Sequence, residues 1–111
     1  VWRRIRQAAQ ILREEPFITA LPADEVVPGS DVPGAEVLVQ GIADLVLVFD
    51  DHAEILDYKT DRSTDAEFYL REYADQLRLY RRAFAQRLRV PVTKLTIYSF
   101  TMQQEIDVPL R

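Results

Sequence analysis

The chain has 111 residues, enough for one modest core and hardly two, with 48% apolar residues and a formal net charge of −4. That charge argues against a broad basic surface holding nucleic acid by itself, and the absence of cysteine excludes disulfides, thiolate metal sites and an iron–sulfur cluster built by this chain. No apolar run approaches the length that spans a bilayer, so no membrane role is expected and a cytoplasmic setting fits.

No secretory segment is visible at the start, where Val1-Trp2-Arg3-Arg4 reads as the middle of a helix; the chain is expected to begin inside a larger protein. Trp2, Ile5, Ala8 and Leu12 recur at helical spacing, and Pro16 ends that pattern. Phe17 to Leu21 is a short strand candidate, and the Pro- and Gly-rich stretch 22–35 reads as an exposed, mobile loop. Val37 to Phe49 is apolar and β-branched, Asp50-Asp51-His52 interrupts it, and Ala53 to Lys59 resumes a strand pattern, which together predict a hairpin. Thr60 to Asp65 is a loop, with Thr64 and Glu67 spaced as a capping box, and a helix follows from Phe68 to Leu88. Pro91 closes it, Leu95 to Thr101 alternates as a further strand, and Ile106 to Val108 adds a last edge strand. The order helix, strand, hairpin, helix, strand predicts a single α/β domain over 1–111, its mixed central sheet flanked by helices.

The hairpin carries the chemistry. Alternate side chains of a strand share a face, so Asp57 and Lys59 point the same way. With Phe49 facing Glu54, or Asp50 facing Ala53, Asp44 falls opposite Lys59 and diagonal to Asp57. Two carboxylates about 4 Å apart repel by roughly 4 kcal/mol at an effective dielectric near 20, and one ammonium offsets only part of that. A hard divalent ion removes the rest, and Mg²⁺ is commonly held by one or two carboxylates together with waters and phosphate oxygens. A lysine beside such an ion can orient or deprotonate the attacking water, or stabilise charge developing on phosphate. The plain alternative is a solvated face with an ordinary Asp–Lys cross-strand pair.

On the long helix, Tyr69, Tyr73 and Phe84 read as packing, whereas the Gln76 amide suits a position facing the carboxylates. The many arginines of that segment read as solvated helix surface. His52 reads as a turn residue at the far end of the strand from Asp57.

Gly41-Ile42-Ala43-Asp44, then Asp57-Tyr58-Lys59-Thr60-Asp61, then Tyr73-Ala74-Asp75-Gln76-Leu77-Arg78-Leu79-Tyr80 resemble the RecB-like nucleases of the PD-(D/E)XK superfamily. The likeness is strongest to the C-terminal nuclease domains of AddA-type helicase-nucleases, and it extends to Arg13-Glu14-Glu15-Pro16-Phe17. The resemblance implies a restriction-endonuclease-like core. It also implies metal ligation by Asp44, Asp57 and the Tyr58 carbonyl, a catalytic Lys59, and Gln76 and Tyr80 facing the site from the side. Glu14 matches an acidic residue of the first helix that sits near the metal. Such nucleases often add a histidine ligand from an upstream helix, for which this chain holds no counterpart.

Two functions follow as expectations. The first is a Mg²⁺-dependent deoxyribonuclease, with Mn²⁺ as substitute, acting on single-stranded DNA in bacterial double-strand break repair. It would be linked to helicase domains of the same polypeptide and to a partner nuclease/helicase subunit, in the cytoplasm at the nucleoid. No Gly-x-x-x-x-Gly-Lys-Ser/Thr loop is present, so no nucleotide site is expected in this stretch. The second is a catalytically inactive module of the same fold that binds DNA ends or another subunit.

Overall fold

A computed structural model describes residues 2–26, 29 and 34–111. In chain order the elements are α1 (Trp2–Gln7), β1 (Gln10–Pro22), α2 (Ala23–Val26), β2 (Glu36–Val48), β3 (Ala53–Lys59), α3 (Ala66–Leu88), β4 (Val92–Ser99) and β5 (Gln104–Val108). The strands form one sheet in the order β1-β2-β3-β4-β5. Its pairs are antiparallel except for β3 with β4, which run parallel because the 23-residue α3 carries the chain back across one face between them.

The apolar spacing of α3 explains that packing. Tyr69, Ala74, Leu77, Tyr80, Ala83 and Phe84 are its buried residues, and they meet Ile55, Leu95, Ile97 and Ile106 from the sheet. Asp65 is the N-cap, its side chain accepting from the Glu67 amide at 3.1 Å, so the cap falls one residue beyond the Thr64 position suggested by the capping-box spacing. Arg89 closes the helix in the left-handed conformation, φ 59°, donating its amide to the Ala85 carbonyl. Several arginines expected in solvent tie this helix down: Arg78 bonds the Pro109 carbonyl, Arg81 that of Val92, and Arg87 that of Pro16. On the opposite face a smaller cluster of Leu45, Leu47 and Leu56 is covered by Ile5, Ala8, Ile11 and Phe49.

Three expectations change. The first helix stops at Gln7, and residues 10–16 are strand: their spacing suits a helix locally, but twelve registered positions against β2 outweigh that preference. The predicted five-residue strand is thereby the second half of a 13-residue one. Within the predicted loop, Ala23–Val26 form one helical turn, and the rest of that prediction at 27, 28 and 30–33 lies outside the described residues.

Candidate active site

The β2–β3 ladder runs from Val48↔Ala53 to Leu45↔Leu56 and then stops, although both strands continue. The turn is two residues tighter than expected, because the Phe49 amide bonds the His52 carbonyl at 2.8 Å and the two rings stack at 4.4 Å. Carried one step on, this register sets Asp44 opposite Asp57 rather than opposite Lys59. A shift of two keeps every side chain on its face, so the convergence survives the correction. Where the ladder ends, the Asp44 carboxylate takes the place of a backbone acceptor: the Tyr58 amide donates to its Oδ2 at 2.8 Å.

A switch in alternation turns Asp44 inward. Phe17, Val39 and Ala43 pack toward α3, all odd-numbered, yet Leu12, Val46 and Val48 do so too, all even. The change of phase falls at Glu14 and Asp44, the one opposed pair missing from the otherwise continuous β1–β2 register, and Glu14 has φ 47°. A left-handed residue in one strand rotates the pleat of both. Without that rotation Asp44 would keep the phase of Ile42, whose side chain is exposed on the other face.

Asp57 is 4% exposed, and its Oδ2 lies 2.8 Å from the Lys59 ammonium but outside hydrogen-bond alignment. Burial, then the hydrogen-bonded contact with Asp44, pushes the Asp57 carboxyl up to about 6 against the counteracting pull of Lys59. Lys59 Nζ also lies 3.5 Å from Gln76 Oε1 and 4.1 Å from the centre of the Tyr73 ring. Tyr80 packs edge-on to Phe17 at 4.9 Å, and burial followed by the charges of Asp57 and Asp44 raises its phenol. Asp44, Asp57, Lys59, Gln76 and Tyr80 are thus gathered on the α3 side, at the C-terminal end of parallel β3, where ligands of α/β sheets commonly sit.

Three other residues fall differently. Tyr58 exposes its ring at the opposite face beside Phe100, leaving only its backbone near the carboxylates. Glu14 lies on a strand, not a helix, and is exposed. His52 sits in the turn, bonded to Asp51 at 2.7 Å and stacked on Phe49. Tyr73 was missed: assigned to packing, it underlies Lys59, and its three-residue spacing from Gln76 was the available signal that both share one helix flank.

Among the described residues no group of three or more His, Asp or Glu side chains gathers at one point. Two facing carboxylates, one with a buried oxygen lacking a hydrogen-bond partner, nevertheless suit a divalent ion whose other ligands are backbone, water and phosphate.

A mixed sheet crossed by one long helix, with an Asp, Asp, Lys set at the splayed strands, defines a nuclease-type fold. The chain belongs to the PD-(D/E)XK nuclease superfamily, whose profile matches residues 1–108. It is 39% identical over 110 residues to an AddA-type ATP-dependent helicase/nuclease protein of Geobacillus thermodenitrificans, covering 90% of this chain and 9% of that protein. It is 37% identical to the protein of the same name from Heliobacterium modesticaldum, covering 93% of this chain and 8% of that protein. The chain therefore spans less than a tenth of the length of these relatives. The crystal structure of SSO0001 superposes with a TM-score of 0.58 at 20% identity, covering 91% of this chain and 43% of that one, a likeness of fold. No helix among the described residues is long and apolar enough to cross a membrane.

Proposed function

We propose that this domain is a Mg²⁺-dependent deoxyribonuclease that hydrolyses phosphodiester bonds of single-stranded DNA as an exonuclease. The same proposal places it within an ATP-dependent helicase-nuclease of bacterial double-strand break repair, in the cytoplasm at the nucleoid. There it would act with helicase domains of its own polypeptide and a partner nuclease/helicase subunit. One observation carries the proposal: Asp44 and Asp57 face each other, and the Asp57 carboxyl is pushed up to about 6 while Lys59 stands 2.8 Å away. A folded sheet keeps such a pair at a cost, which is expected where the pair has work to do.

Asp44, Asp57 and the Tyr58 carbonyl would hold the ion. When bound, it lowers the pKa of water and screens phosphate charge. The chain's own residues do the rest. Asp57 and Gln76 confine the Lys59 ammonium from two sides, so that it can hold the attacking water or the phosphate oxygen by charge-assisted hydrogen bonds. Tyr80 and Phe17 close the floor beneath Gly41, limiting water on that side.

The test is digestion of single-stranded DNA with Mg²⁺, with Mn²⁺ and with chelator, for the parent and for Lys59→Ala. Cutting by the parent that needs the ion and is lost in the variant, with an unchanged circular dichroism spectrum, supports the assignment. A variant that digests at the parental rate removes lysine from the mechanism. A parent that binds neither ion by calorimetry points instead to an inactive DNA-end-binding or subunit-docking module.

A further inference from the structure

Lys59 is a long, flexible side chain lying beside two carboxylates, and electrostatics alone would let it settle between them. It does not. Its ammonium contacts Asp57 at 2.8 Å while resting 4.1 Å over the Tyr73 ring, and its side chain is only 18% exposed. The ring is itself fixed, because the Tyr73 hydroxyl donates to Asp61 Oδ2 at 2.7 Å. Asp61 in turn is anchored from two elements: its carbonyl accepts from the Tyr69 hydroxyl at 2.8 Å and from Thr101 Oγ1 at 2.6 Å. Tyr69 is buried and takes a further hydrogen bond from Ser99 Oγ at 2.9 Å. The loop that leaves Lys59 therefore returns, two residues later, to brace the ring on which Lys59 rests.

We infer that Tyr73, braced by Asp61, is a positioning residue that holds the Lys59 ammonium against Asp57 and out of the space between the two carboxylates. The inference rests on the nuclease assignment for its consequence, though not for the contact itself. An aromatic face attracts an ammonium without supplying a competing hydrogen-bond acceptor, so it can fix the position of the charge and leave its N–H groups free for water or phosphate. Asp61 supports this in a second way, since its hydrogen bond, with burial adding to it, pushes the Tyr73 phenol up to about 12 and keeps the ring neutral.

The experiment compares Tyr73→Leu, Tyr73→Phe and Asp61→Ala in the full native polypeptide by two readouts. The first is acylation of Lys59 relative to Lys94, followed by mass spectrometry, which needs no catalysis. Tyr73→Leu is expected to raise the Lys59 to Lys94 ratio by about tenfold, and Tyr73→Phe, which keeps the ring, by no more than about threefold. The second is steady-state cleavage at saturating Mg²⁺, with metal stoichiometry from calorimetry reporting the competent fraction. Tyr73→Leu should lower kcat by about tenfold at unchanged KM and stoichiometry, while Tyr73→Phe and Asp61→Ala each retain a third or more of the rate. An unchanged labelling ratio in Tyr73→Leu overturns the inference whatever the activity. A raised ratio with an unchanged kcat also overturns it. A raised ratio in a protein whose parent neither binds the ion nor cuts leaves the brace standing and removes the nuclease assignment instead.

Discussion

Replacing Asp44 by Asn should stabilise the metal-free domain, and only above a definite pH. Asp57 has a folded-state pKa of about 6 against an ordinary 3.8, raised by burial and then by the Asp44 contact. A raised carboxyl pKa means the folded state holds the proton more tightly than the unfolded chain. That contribution to stability is complete below about pH 4 and is lost as pH climbs through about 6. At about 1.4 kcal/mol per unit the loss is about 3 kcal/mol, of which burial accounts for the first share and Asp44 for the next. The Asn amide keeps an oxygen for the Tyr58 amide, so the hydrogen bond at 2.8 Å survives while the opposing charge goes. Urea titrations in chelator from pH 4 to pH 8 should show parent and variant alike at pH 4. The variant should be about 1 kcal/mol more stable at pH 8. With Mg²⁺ added at pH 8 the order should reverse, since only the parent gains the binding term. A variant less stable than the parent at pH 8 without metal, or a difference that ignores pH, refutes the opposed-carboxylate argument.

Glu14→Gly should be neutral or stabilising by up to about 1 kcal/mol, because Gly accepts φ 47° without the left-handed penalty. It should keep cleavage within about threefold, whereas Glu14→Val should lose about 2 kcal/mol in the same denaturation assay. Gly41→Ala would bring a Cβ to 3.2 Å from the Phe17 ring and 3.3 Å from Tyr80, costing about 1–3 kcal/mol by thermal unfolding. Arg4 lies 2.8 Å from the buried Glu54 and also pairs with Glu105, so Arg4→Ala should cost about 2 kcal/mol of chemical stability with an unchanged denaturant slope.

The residues by themselves determined what depends on local pattern. Strand alternation put Asp57 and Lys59 on one face whatever the register, and the Asp50-Asp51-His52 break placed the turn. Three- and four-residue spacing marked α3 to within two residues at its start, and put Gln76 on the flank that meets Lys59. The tertiary structure decided what depends on distant partners. Residues 10–16 satisfy a helical spacing, but Leu12 and Phe17 find their places only against β2, more than twenty residues on. Asp44 faces Asp57 because the stacking of Phe49 on His52 tightened the turn, and it points inward because the pleat rotates where Glu14 is left-handed. Tyr73 became part of the site through a loop that doubles back to Asp61. Pattern reports which face a side chain takes; which group it meets there is settled by pairing energies between segments that no local window contains.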